Sequence, residues 1–186
     1  MLRSAAADVA DTPKPLVNEA VPDGYFQIIA SHPAMYTQFQ FTIIAKEGKF
    51  TKGEMYAASQ EAFDAIDSLE ALISTWRRGT QASRINSEGA KNPVGVAPIV
   101  LQLVESSVRY WQATDGAFDV TVGPLVEVWK KGKDESRIPT EAEIAAAKEL
   151  VGSDKLVIVP DDRSVGFAKP GMRLDFGGIA KGWALD

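Results

Sequence analysis

The chain has 186 residues, no cysteine, and 20 basic against 25 acidic side chains for a formal charge of −5. Its length suits one core, since single domains commonly run to roughly 100–200 residues, and 45% hydrophobic with 24% charged residues is ordinary globular composition, far from disordered or collagen-like chains. Without cysteine there are no disulfide scaffolds, thiolate zinc sites or CxxC redox centres, and the acidic balance argues against a broad nucleic-acid surface.

No apolar stretch approaches the roughly 18–20 residues of a membrane-spanning helix, and the first residues carry no apolar core of a signal peptide. From Met1 to Gly24, Ala, Asp, Pro and Lys mix without hydrophobic periodicity, which predicts a flexible leader over 1–24 and a folded domain over 25–186. Tyr25–Ala30 and Phe39–Ala45, rich in aromatic and β-branched residues, predict two strands joined through Ser31-His32-Pro33. His32, the single histidine, reads as a loop residue without triad partners.

Between Gly53 and Trp76, apolar residues recur mostly at three- and four-residue steps with acidic residues between, predicting a long amphipathic helix. Arg77–Val96 reads as a loop carrying Ser83-Arg84-Ile85-Asn86. A second helix starts at Pro98, presents Ala97, Leu101, Val104, Val108 and Trp111 inward, and ends before Asp115-Gly116. Thr140 and Glu143 form a capping-box pattern for a short helix closed by Gly152. Lys155–Val159 and Val165–Ala168 predict a hairpin, and Met172–Phe176 a strand that runs through Gly177-Gly178 into a helix at Ile179. The chain stops at Asp186, partway through that helix, as expected of the front part of a longer protein.

Three segments carry residues suited to chemistry. A strand entering Gly177-Gly178 and then a helix would aim backbone N–H groups and a positive helix end at one anion, with Lys181 adding charge. It matches neither the Walker pattern nor GxGxxG, and a plain tight connection is the competing reading. Ala117-Phe118-Asp119 lies between the turn dipeptides Asp115-Gly116 and Gly123-Pro124, a rigid exposed platform, or for Asp119 an Asx-turn. Trp76, followed by Arg77 and Arg78, suits stacking on an aromatic ring beside a phosphate; the alternative is a core-closing Trp with hydrated arginines.

Taken in order, Met35-Tyr36-Thr37, Ser74-Thr75-Trp76-Arg77 with Ser83-Arg84-Ile85-Asn86, Ala117-Phe118-Asp119 with Val122-Gly123-Pro124-Leu125, and Leu174-Asp175 through Lys181-Gly182 to Asp186 resemble the ApbE family of FAD:protein FMN transferases over residues 35–186. The resemblance implies a single α+β domain of ApbE-like (T-fold-like) architecture, incomplete at its C-terminus. It implies FAD contacts from Met35, Trp76, Ala117, Phe118, Asp119, Asp175 and Lys181, and a backbone carbonyl toward Mg²⁺ from Gly178, where the family usually has Ala. Tyr36 stands where the family's first motif has Gly. The family's later Mg²⁺ ligands and His-containing segment are absent.

By resemblance, the activity is Mg²⁺-dependent transfer of FMN from FAD to a Thr or Ser hydroxyl of an acceptor flavoprotein, in a periplasmic or membrane-associated setting. An FAD pyrophosphatase, an FAD-binding protein and an inactive partner-binding remnant are the alternatives. The expectation that decides the case is geometric: the Gly177-Gly178 elbow and the Ala117-Phe118-Asp119 bend must lie side by side.

Overall fold

A computed structural model describes residues 21–186, so most of the expected leader lies outside the described residues. Strands β1 (Tyr25–Ala34) and β2 (Thr37–Lys46) form an antiparallel hairpin. The expected connection at Ser31-His32-Pro33 is corrected, because these residues stay in β1 and the turn is Met35-Tyr36, both with positive φ (49° and 57°). A two-residue hairpin turn needs that backbone to match the twist of its strands. Pro33 pairs with Gln38, one step from the turn pair, where the ladder asks for no N–H.

His32 is therefore a strand residue, and its Nε2 lies 2.8 Å from Asp67 Oδ1 while its ring stacks on Phe63. Helix α1 (Lys52–Ile73) is opened by a capping box between Thr51 and Glu54, and it buries Phe63, Ile66, Leu69 and Ile73. The periodicity overran its end by three residues: Ser74 caps the helix and Trp76 lies beyond it. Phe63 and Ile66 pack with Ala30, Ala34 and Phe39 into a small core under the hairpin.

The main core lies between the end of α1, helices α2 (Gln81–Glu88) and α3 (Pro98–Ala113), and a three-stranded antiparallel sheet. The sheet runs β3-β5-β4, with β3 Val94–Gly95, β4 Leu156–Val159 and β5 Ser164–Phe167. Helix α2 corrects the expected loop. Thr80 caps it through Ser83 N, and Ala82 and Ile85 are fully buried although the helix is otherwise polar.

On α3 the expected stripe is buried at Leu101 and Val104 and half-buried at Val108 and Trp111, and the buried face widens toward Val100, Leu103 and Ser107, all fully buried. Each of the two apolar side chains contributes roughly 1.5–3 kcal/mol by leaving water. Helix α4 (Gly123–Asp134) corrects the reading of Gly123-Pro124 as a turn, with Pro inside the first helical turn. Its Gly123 is a close-approach position, since a Cβ there would fall 2.7 Å from the Arg173 backbone oxygen.

Helix α5 (Glu141–Lys148) has the expected Thr140–Glu143 capping box. Arg137 forks onto both oxygens of Glu143 at 2.7 Å, and that pairing, with the Thr140 N–H, holds the Glu143 carboxyl down at about 2. The β4–β5 hairpin forms as expected. Met172–Phe176 is buried on alternate residues as a strand would be, yet it makes just one bridge, Val122 to Arg173. The last element, α6 (Ala180–Trp183), spans four residues.

Candidate functional site

Three motif segments are tied together by specific hydrogen bonds. Asn86 on α2 reads Leu174 as a strand partner would: its Nδ2 donates to Leu174 O at 3.0 Å, and its Oδ1 accepts from Leu174 N at 2.7 Å. Asp175 N then donates to Val120 O at 2.8 Å, which lays the Met172–Phe176 run beside the loop after α3. One side chain and one loop thus supply the backbone partners that a missing strand would have supplied. Nothing in the sequence gives Asn86 this role; a half-buried Asn with both amide atoms paired to main chain is visible only in three dimensions.

Two further anchors set the opposite wall. Met35 N, in the hairpin turn, donates to Glu70 Oε2 on α1 at 2.9 Å. Thr80 Oγ1 donates to Ser74 O at 2.6 Å, closing the loop that carries Trp76. Trp76 is 53% exposed, and Lys130 Nζ of α4 sits 4.4 Å above its ring.

These anchors bring Met35, Trp76, Asp175 and Lys181 to one recess of about 80 Å³, also lined by Glu70 and Tyr36. The recess opens beside two larger grooves. One, of about 610 Å³, runs between the hairpin tip and Trp76-Arg77, and the other, of about 640 Å³, runs along α4 past Asn86, Trp76 and Asp175. Next to the elbow a hollow of about 370 Å³ is lined by Tyr110, Phe118, Gly178 and Trp183.

The two bends adjoin: a Cβ built on Gly178 would lie 3.3 Å from Phe118 Cε2. Glycine at that position therefore leaves the Phe118 ring room to close on the elbow, where Ala would press against it.

The elbow is less of an anion cradle than expected. Gly177 N donates to Asp175 Oδ1 at 2.7 Å, and Ile179 N and Ala180 N both donate to Phe176 O, so these three N–H groups are spent within the chain. Four residues of α6 make a negligible dipole. Positive charge at the recess comes from Lys181, whose Nζ donates to Gly177 O at 3.3 Å.

The Ala117-Phe118-Asp119 bend presents its ring rather than its carboxylate. Asp119 Oδ1 accepts from Thr121 N, Thr121 Oγ1 and Ser153 Oγ at 2.7–2.8 Å, and Oδ2 accepts from Ser153 N at 3.0 Å. The bond to Thr121 N makes the Asx-turn that the sequence offered as the competing reading. Ala117 is exposed, and its N–H is used by Thr114 O.

A magnesium ion does not find its site in these residues alone. Among the described residues no three His, Asp or Glu side chains converge, and a single Gly178 carbonyl is far short of the oxygen shell that Mg²⁺ requires.

Comparison with known proteins finds relatives of the chain. The model of the ApbE family matches residues 35–186. The FAD:protein FMN transferase of Klebsiella pneumoniae (strain 342) is 32% identical over 130 residues, covering 70% of this chain and 41% of the relative. That of Vibrio cholerae serotype O1 is 30% identical over 162 residues, covering 86% and 47%. Among solved structures, the flavin transferase ApbE from Vibrio cholerae superimposes with a TM-score of 0.75 at 28% identity, over 87% of this chain and 52% of that one. The ApbE protein of Thermotoga maritima gives 0.75 at 25% identity, over 87% and 50%. The chain thus spans about half the length of the relatives it matches. With the α+β architecture shared and the family model matched over residues 35–186, this chain belongs to the ApbE family.

Proposed function

We propose that the protein acts as an FAD:protein FMN transferase, moving FMN from FAD to a Thr or Ser hydroxyl of an acceptor flavoprotein with Mg²⁺ required. The observation that carries this reading is the meeting of Met35, Trp76, Asp175 and Lys181, from three separate chain segments, around one recess. The hollow at Phe118 and Gly178 adjoins it through the elbow. The groove beside Trp76 and the hollow beside Phe118, with Lys181 in the small recess that adjoins both, suit a molecule with two ring systems joined by a pyrophosphate.

The chemistry is a phosphoryl transfer. The acceptor's hydroxyl oxygen bonds to the FMN phosphorus, the bond from that phosphorus to the bridging oxygen breaks, AMP departs with that oxygen, and the hydroxyl proton is released. Such a reaction asks the protein for positioning and charge neutralisation more than for a nucleophile. Trp76 offers a stacking face, Lys181 a charge beside the phosphates, and Asn86 fixes the backbone that carries Asp175. Among the described residues no set of side chains completes a site for the metal.

The test is to incubate the protein with FAD, MgCl₂ and an acceptor flavoprotein subunit and weigh the acceptor by mass spectrometry. A gain of one FMN on a Thr or Ser, abolished by EDTA, supports the proposal. Free FMN and AMP without acceptor modification make it a pyrophosphatase, and tightly held intact FAD makes it a binding protein; either result overturns transfer.

A further inference from the structure

The tip of the β1–β2 hairpin carries a contradiction in its own sequence. Both turn residues adopt left-handed backbone, a conformation natural to Gly, Asn or Asp and strained for a residue with a Cβ. Yet the positions are filled by Met35 and Tyr36. Met35 recovers some of that cost by packing against both hydrophobic cores and by its N–H bond to Glu70. Tyr36 recovers none, because it is 91% exposed with its ring in water. A strained backbone holding a bare aromatic ring points to a purpose outside the folded state itself.

The place of that ring supplies the purpose. Tyr36 lines both the small recess and the groove of about 610 Å³ beside it, and Trp76 lines both as well. Trp76 is the other exposed large aromatic there, 53% accessible. The recess of about 80 Å³ is too small for a fused ring system, so a planar ring must occupy the adjoining groove, between the hairpin tip and Trp76. The hairpin tip is fixed by the Met35–Glu70 bond, so the Tyr36 Cα is placed and its ring is free to swing.

We infer that Tyr36 is a ligand-binding residue, closing on a heteroaromatic ring of FAD from the side opposite Trp76. This rests on the reading of the recess as an FAD site and adds to it a residue at the position where the family's motif has Gly.

The experiment is equilibrium titration of the unaltered protein, Tyr36→Gly and Tyr36→Phe with FAD, FMN and ADP, alongside thermal melts. Tyr36→Gly relieves the left-handed strain, so its melting temperature rises while its Kd for FAD increases about tenfold, the size of one lost stacking contact. Tyr36→Phe keeps the ring and keeps the affinity. A matching loss with FMN assigns the flavin ring, and one with ADP the adenine. FAD affinity equal in Tyr36→Gly and unaltered protein overturns the inference while leaving the site reading intact. No FAD binding by the unaltered protein overturns both.

Discussion

Removing the Asp119 carboxylate separates a structural role from a ligand-binding one at the residue where the two readings compete. In the structure that carboxylate accepts four hydrogen bonds, two each from Thr121 and Ser153, tying the loop after α3 to the turn before β4. Thr121 is fully buried and Ser153 is 3% exposed, so Asp119→Ala leaves their donors without partners where water has little access. A hydrogen bond to a charged group is worth about 1.5–3 kcal/mol, but four bonds to one carboxylate do not add. The expected loss is about 3–5 kcal/mol, which for a chain of this size lowers the melting temperature by about 8–15 °C.

Asp119→Asn keeps the shape and one acceptor but turns an amide toward donors, and should lose about half as much. Differential scanning calorimetry reads the melts, and FAD titration of the same variants reads binding. A melting temperature for Asp119→Ala within about 2 °C of the unaltered protein, with FAD binding abolished, would refute the structural assignment and place the carboxylate on the ligand.

Asn86→Ala removes both bonds to Leu174 and leaves a buried N–H and C=O bare, so stability should fall by about 2–4 kcal/mol and FAD affinity should fall with it; an unaffected Kd would mean that Asp175 is held by other means. Lys181→Ala should weaken FAD binding or slow transfer about tenfold or more, the worth of one charge-assisted bond, with little change in melting temperature because Nζ reaches only Gly177 O at 3.3 Å; unchanged kinetics would remove Lys181 from the site. Glu143, held at about 2 chiefly by Arg137, stabilises the fold fully above the ordinary carboxylate range and loses that contribution as pH falls toward 2. The melting temperatures of the unaltered protein and Glu143→Gln should therefore differ at neutral pH and converge near pH 2, and a gap constant with pH would refute this.

Elements whose apolar residues share one face were legible in the sequence, and elements held by small or polar contacts were not. The α1 and α3 stripes and the Thr140–Glu143 capping box announce themselves through side chains that must be buried or capped. Helix α2 has only Ala82 and Ile85 to bury, and α4 buries Gly123, Pro124 and Gly132, so neither shows a stripe. The Met172–Phe176 alternation is real burial, but it cannot reveal that Asn86 and Val120 replace a neighbouring strand.

At the site, residue types gave the lysine, the tryptophan and the two bends. They could not show that the elbow's N–H groups would be consumed by Asp175 and Phe176, or that Asp119 would turn toward Ser153. The Met35-Tyr36 turn was hidden because nothing in that dipeptide announces left-handed backbone.

A structure of the protein with FAD bound tests the central claim most directly. The expected result is one ring of FAD between the Met35-Tyr36 turn and Trp76, its pyrophosphate within reach of Lys181, and the rest of the molecule passing the elbow beside Phe118. FAD seated elsewhere, with Trp76 and Lys181 both out of contact, would contradict it.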